Sequence, residues 1–297
     1  MVLGHQKQWQ FLKKSAELGK ISHAYLFSGP DKIGKRKIAL EWAQLLFGEK
    51  IQLGKNPDLI LVEPENPVTE KSIVGKREIK ISQIRELIWK LSLKPYSASL
   101  KVAIIDKAHL MNQEAQNCFL KTLEEPKKNT YLILITEHPE SLLPTILSRC
   151  QSVKFYPVSQ KEIENYLKKE KTDKEEIQEI LKVSMGRPGR AIDFISNSEK
   201  LKEWQKNVKT ADKILSLDLA DKFQYAKELA QKNNLKEILE IWLSYFRNIL
   251  FERIHQKNSD SFKELKKIIE KIQETNSLLS TTNINQRLVL EILMLEL

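Results

Sequence analysis

Five short runs dominated by consecutive apolar residues mark the first half of the chain: Ala24 to Phe27, Asp58 to Val62, Lys101 to Asp106, Tyr131 to Thr136 and Val153 to Tyr156. Each is too short for a buried helix and too continuous for a strand with one wet face. Each therefore reads as a strand buried on both sides, as in a parallel sheet. Between them the apolar positions switch to helical spacing. His5 to Leu18 carries Trp9, Phe11, Leu12 and Leu18, and the stretch after Lys35 carries Ile38, Leu40, Trp42, Leu45 and Leu46. A third helix is predicted with Ser82 as N-cap and Ile84, Leu87, Ile88 and Leu91 as its apolar face. Asn112 caps a fourth, Gln113 to Glu125, which Pro126 stops, and Leu142 to Leu147 reads as a helical turn. Strands alternating with helices predict an α/β domain with both sheet faces covered.

From Ser159 onward the strand signals disappear. Two helices are expected between Ser159 and Ser184 with a break at Lys171 to Asp173, then a turn at Gly186 to Gly189 and a third helix from Arg190 to Ser196. Glu199 to the end is helical by pattern, with breaks near Ser216, Asn233, Ser259 and Ser280 to Asn283. The organisation expected is an α/β domain over residues 1–157, a helical lid over 158–198 and an all-helical domain over 199–297.

Composition narrows the possibilities. The chain has 297 residues and no apolar run as long as a membrane span. Its first residues, MVLGHQKQWQFLKKS, carry no hydrophobic leader core, so the expected location is the cytoplasm. Two cysteines, Cys118 and Cys150, exclude a four-cysteine zinc site and argue against a disulfide framework. His109 and His138 lack a partner set at ligand spacing, so no metal site is expected. A net charge of +10 favours acidic partners such as nucleic acid, although the basic residues look dispersed through the helices. Arg85 and Lys90 on the third helix are a conceivable contact for a phosphate backbone, with a solvated helix face as the simpler reading.

The candidate chemistry lies between the first strand and its helix. Gly29 to Lys35 nearly matches G-x-x-x-x-G-K-[ST], with Gly29 and Gly34 as the glycines and Lys35 as the phosphate lysine. The next position should carry a hydroxyl for Mg²⁺ and carries Arg36 instead. Lys32 stands where such loops often place an inner glycine. Asp106 ends an apolar strand where P-loop proteins hold their metal, but Lys107 follows it in place of a general base. Thr136 ends another strand at the carboxyl edge of the sheet. Arg187 and Arg190 lie where a lid would meet a nucleotide, and Arg149 lies in Leu147-Ser148-Arg149-Cys150 after a turn containing Pro144.

Taken together, HAYLFSGPDKIGK (His23 to Lys35), NPDLILVEPE (Asn56 to Glu65), Ile84 to Asn112, QEAQNCFLKTLEEP (Gln113 to Pro126), Thr130 to Cys150 and SMGRPGRA (Ser184 to Ala191) resemble the clamp-loader branch of the AAA+ family, in its bacterial DNA polymerase III delta-prime form. The resemblance implies a Walker A lysine at Lys35, a Walker B aspartate at Asp106, a sensor at Thr136, a second sensor at Arg187 or Arg190, and an arginine finger at Arg149 acting on a neighbour's ATP. It also implies a hetero-pentameric ring with tau/gamma and delta subunits, collared by the C-terminal domains, that loads a sliding clamp onto primed DNA. Arg36, Lys32 and Lys107 depart from the hydrolytic pattern, and the zinc module common in the family is replaced by a short link at Gly48 to Asn56. The expectation is a subunit without useful ATPase activity, whose site holds ATP or ADP weakly or stays empty. An active tau/gamma-type ATPase and a stand-alone DNA-binding protein are the alternatives.

Overall fold

The computed structural model describes residues 3–48, 56–65, 77–96, 98–170, 173–232, 234–255, 262–281 and 284–297. Residues 49–55 of the short link, residues 66–76, and parts of the breaks expected near residues 171, 233, 259 and 283 lie outside them. The first half alternates as read: α1 (Gln6–Glu17), β1 (Ala24–Ser28), α2 (Lys35–Phe47), β2 (Leu59–Val62), α3 (Ile81–Ser92), β3 (Lys101–Ile105), α4 (Gln113–Glu124), β4 (Thr130–Thr136), α5 (Pro144–Leu147) and β5 (Gln151–Lys154). The strands form one sheet in the order β2-β3-β4-β1-β5, with every neighbouring pair parallel.

Because strand side chains alternate between faces, each central strand feeds two cores. Ala24, Leu26, Ala103, Ile105, Leu132 and Leu134 pack with Ile84, Leu87, Phe119 and Leu123 of α3 and α4. The intervening residues Tyr25, Phe27, Val102, Ile104, Ile133 and Ile135 pack on the other face with Leu12 of α1 and Ile38 and Trp42 of α2. That two-sided burial is why these strands lack polar alternation. Trp42 is fully buried and its ring meets Tyr25 edge-on at 6.1 Å; truncating such a residue to Ala costs about 3–5 kcal/mol.

Two boundaries in this half differ from the sequence expectation. The last strand covers Gln151–Lys154 rather than 153–156, because its partner β1 ends at Ser28, paired with Lys154. Helix α3 is capped at Lys80, not Ser82: the Gln83 side chain accepts the Lys80 N–H at 3.0 Å, drawing the start two residues forward. Asn112 caps α4 as expected, accepting from the Ala115 N–H at 2.9 Å.

Downstream come α6 (Gln160–Lys169), α7 (Lys174–Ser184), α8 (Pro188–Ser196), α9 (Ser198–Ile214), α10 (Leu219–Ala230), α11 (Leu235–His255), α12 (Phe262–Thr281) and α13 (Gln286–Glu296). Helix α8 opens at Pro188, inside the expected turn, since proline's fixed φ suits a first helical position. The chain forms two compact units, Met1–Ile192 and Asp193–Leu297. The second has its own core of Trp242, Phe246, Ile272, Leu290 and Met294, with Tyr225 stacked on Trp242 at 6.0 Å. Among the described residues no helix is long and apolar enough to cross a membrane.

Candidate functional site

Parallel strands place their carboxyl ends on one edge of the sheet, and that edge carries the candidate residues. β1 runs into the glycine loop. Gly29 has φ +147°, and a Cβ there would lie 2.4 Å from the Phe155 carbonyl oxygen, so only glycine fits. The Gly29 N–H donates to the Thr136 carbonyl at 3.2 Å, tying the loop to the end of β4. Lys32 adopts φ +57°, the left-handed conformation that the missing inner glycine would take without strain. Gly34, at φ +104°, caps α2.

Lys35 is almost wholly buried. Its Nζ donates to the carbonyl oxygens of Gly29 (2.6 Å) and Pro30 (2.5 Å), so the ammonium folds back on the loop. Burial lowers its pKa. Asp31, Glu137 and Asp106 oppose that shift, and the nearby charge of Arg187 adds to it.

Beside it, Arg36 takes the place of the metal ligand. Its Nη1 pairs with Glu63 Oε1, just past the end of β2, and lies 3.5 Å from Asp106 Oδ2, just past the end of β3. The register Val62↔Ile105 brings those two carboxylates side by side. Asp106 also accepts the N–H of Lys107 at 2.9 Å, while Lys107 sits at φ +53°. Burial raises the Asp106 pKa, partly offset by Arg36 and by the Lys107 N–H. A cation approaching Asp106 meets a guanidinium already paired with both carboxylates. The residues present do not fit a Mg²⁺ ion.

Thr136 is buried, and its Oγ1 accepts the His138 N–H at 3.0 Å and lies 3.2 Å from His109 Nδ1. His109 Nε2 is 3.4 Å from Glu137 Oε1, and His138 Nδ1 is 2.9 Å from Glu140 Oε1. Burial alone would raise the Glu137 carboxyl, but the hydrogen bond and charge of His109, with the charges of His138 and Lys35, hold it down at about 2. Among the described residues no cluster of three or more metal-ligating groups occurs.

The start of α8 meets the loop through its backbone. The Gly189 N–H donates to the Lys32 carbonyl at 2.8 Å, at the start of α8. Arg187 is brought within electrostatic reach of Lys35, and Arg190 is buried in the first turns of α8. Thus Gly29, Gly34, Lys35, Asp106, Thr136 and Arg187 share one locale, with Glu63 and Glu137 as members that the sequence alone did not single out, and His109, which it weighed only as a metal ligand, beside Glu137. Arg149 belongs to a separate group with Thr145, Ser148 and Glu124. Arg85 is exposed and Lys90 pairs with Glu86 at 2.7 Å along α3, the geometry of a solvated face.

A family model described as DNA polymerase III, delta subunit, matches residues 4–159, more than half of the chain. The chain belongs to this family. The DNA polymerase III delta′ subunit of Bacillus subtilis is 37% identical over an alignment of 172 positions that covers 53% of this chain and 49% of that protein. The chain thus spans about half the length of that delta′ relative. The DNA polymerase III gamma subunit of Buchnera aphidicola from Acyrthosiphon pisum is 27% identical over 93% of this chain and 84% of its own length. A crystal structure of a gamma subunit-related protein from Thermotoga maritima aligns with 96% of this chain and 97% of its own at 19% identity, with a TM-score of 0.48. The family match covers the α/β core and the site residues up to Thr136 but not Arg187, and the delta′ likeness agrees with the resemblance drawn from residues 23–191.

Proposed function

We propose that the chain is a clamp-loader subunit of the delta-prime type. In this reading it does not hydrolyse ATP but serves as a fixed partner in a hetero-pentameric ring with tau/gamma and delta subunits, in the cytosol. The ring opens a sliding clamp and places it on primed DNA. The observation that carries the reading is Arg36: its guanidinium bridges Glu63 and Asp106 where a hydrolytic subunit needs a hydroxyl and a metal. Lys107 leaves the adjoining position without a base. The chemical contribution of the subunit is then Arg149, offered to ATP held by a neighbour; arginine fingers of this kind accelerate phosphoryl transfer by about 10³ to 10⁵.

The test has two parts. The purified chain is assayed for nucleotide binding and hydrolysis with and without Mg²⁺, and the expected result is no turnover and no metal-dependent binding. In a ring reconstituted with its partner subunits, Arg149→Ala leaves assembly intact and lowers clamp-dependent ATP hydrolysis at least tenfold. Unchanged hydrolysis removes Arg149 from the mechanism.

A second reading, an active tau/gamma-type ATPase, is favoured by one finding: the gamma relative aligns over nearly the whole chain. Mg²⁺-dependent turnover by the purified chain that Lys35→Ala abolishes would select it.

A further inference from the structure

We propose that Glu124 is a positioning residue that sets the direction of the Arg149 guanidinium. The inference rests on the reading of Arg149 as a group offered to a neighbouring subunit. Arg149 follows α5, a helix of four residues. The chain around it is fixed from both sides. Ser148 Oγ donates back to the Thr145 carbonyl at 3.1 Å, and Cys150 packs against the core cluster that includes Phe119, Leu123 and Ile146, its thiol pushed up to about 12 by burial. The side chain itself is held at two nitrogens by two elements: Nη1 donates to the Thr145 carbonyl at 3.0 Å, and Nη2 pairs with Glu124 Oε1 at 2.8 Å. One contact would fix only where a guanidinium sits. Two contacts on different nitrogens also fix the plane in which its remaining donors point. Glu124 is the last residue of α4, a capped helix packed into the main core, so the backbone that carries the second anchor is held in place.

Stability does not explain the contact. The two side chains are 35% and 48% exposed, and an ion pair that open to water adds little to folding. The arginine has several rotatable bonds, and catalytic groups misplaced by about 1 Å can lose 10²-fold in rate. A carboxylate that orients the guanidinium therefore acts on catalysis before it acts on folding.

The experiment uses the reconstituted ring with wild-type, Glu124→Gln, Glu124→Asp, Arg149→Ala and the double variant Glu124→Gln/Arg149→Ala. Glu124→Gln is expected to lower kcat for clamp-dependent ATP hydrolysis about tenfold, with KM for ATP, ring assembly and melting temperature unchanged. Glu124→Asp should recover part of the loss, and the double variant should match Arg149→Ala alone. A rise in kcat with Glu124→Gln would mean that the carboxylate masks the arginine and would overturn the proposal, as would no change. If Arg149→Ala itself has no effect, the trans-acting reading fails, and the proposal fails with it. A Glu124→Gln loss that persists without Arg149 overturns the positioning role alone.

Discussion

Arg36 changes the sign of the charge that faces two carboxylates. A serine or threonine there would present an oxygen to a cation; the guanidinium is itself the cation, paired with Glu63 and 3.5 Å from Asp106. Replacing it with serine removes the internal counterion and leaves two acidic side chains converging with a hydroxyl nearby, the donor set that suits Mg²⁺. Arg36→Ser is therefore expected to gain Mg²⁺-dependent nucleotide affinity, at least tenfold tighter with the metal than without, while the wild type shows no such difference. Calorimetric titration with ATP in Mg²⁺ and in EDTA measures it. A variant as indifferent to Mg²⁺ as the wild type would show that the loop, not the arginine, bars the metal. Glu137 makes a second residue-scale case. Its folded pKa of about 2 lies below the ordinary 4.5, so its stabilising contribution is complete above about pH 4.5 and fades as pH falls toward 2. Glu137→Gln should destabilise the protein by roughly 1–3 kcal/mol at neutral pH. The gap should narrow across that acid window when urea unfolding is followed at stepped pH. A gap independent of pH would place the effect in packing rather than in charge.

At the scale of elements, the sheet was legible because its strands are buried twice over, and a run such as Val102 to Ile105 admits no solvated face. The glycine loop was legible because its members are contiguous. Glu63 and Glu137 were not: their meeting with Arg36 and His109 depends on strand register, which no local pattern encodes. The edges of elements moved for similar reasons. β5 stops where β1 stops, and α3 starts where Gln83 can reach back to Lys80. The start of α8 gives the clearest element-scale prediction. A Cβ at Gly189 would stand 2.7 Å from the Lys32 carbonyl oxygen, which is backbone and cannot swing aside. Gly189→Ala must therefore push α8 off the loop and break the Gly189–Lys32 hydrogen bond. The expected loss is about 1–3 kcal/mol in chemical denaturation. Faster hydrogen exchange at the Gly189 amide should accompany it. An unshifted denaturation midpoint would mean that the loop yields without cost.

At the scale of the whole molecule, the positive charge is less evenly spread than the sequence suggested. Residues 1–192 hold 32 Lys and Arg against 23 Asp and Glu, whereas residues 193–297 hold 17 against 16. In the second unit the cations are met along and between helices, as in Lys266–Glu270, Arg287–Glu291 and Lys267–Glu296. The excess thus lies in the α/β unit, part of it spent inside the site: Lys35 is buried in the loop and Arg36 is paired with Glu63 beside Asp106. A protein that finds DNA by itself needs an outward cluster of cations; one brought to DNA by a ring needs only weak attraction. The isolated chain is accordingly expected to bind duplex or primed DNA only non-specifically, at about 10⁻⁴ to 10⁻⁶ M near physiological salt. Its log affinity should fall linearly with log salt concentration. Fluorescence anisotropy with a labelled primer–template over a salt series reads both quantities. Nanomolar binding that survives high salt would turn the assignment from a ring subunit toward a DNA-binding protein acting alone, and it would do so whatever Arg149 contributes.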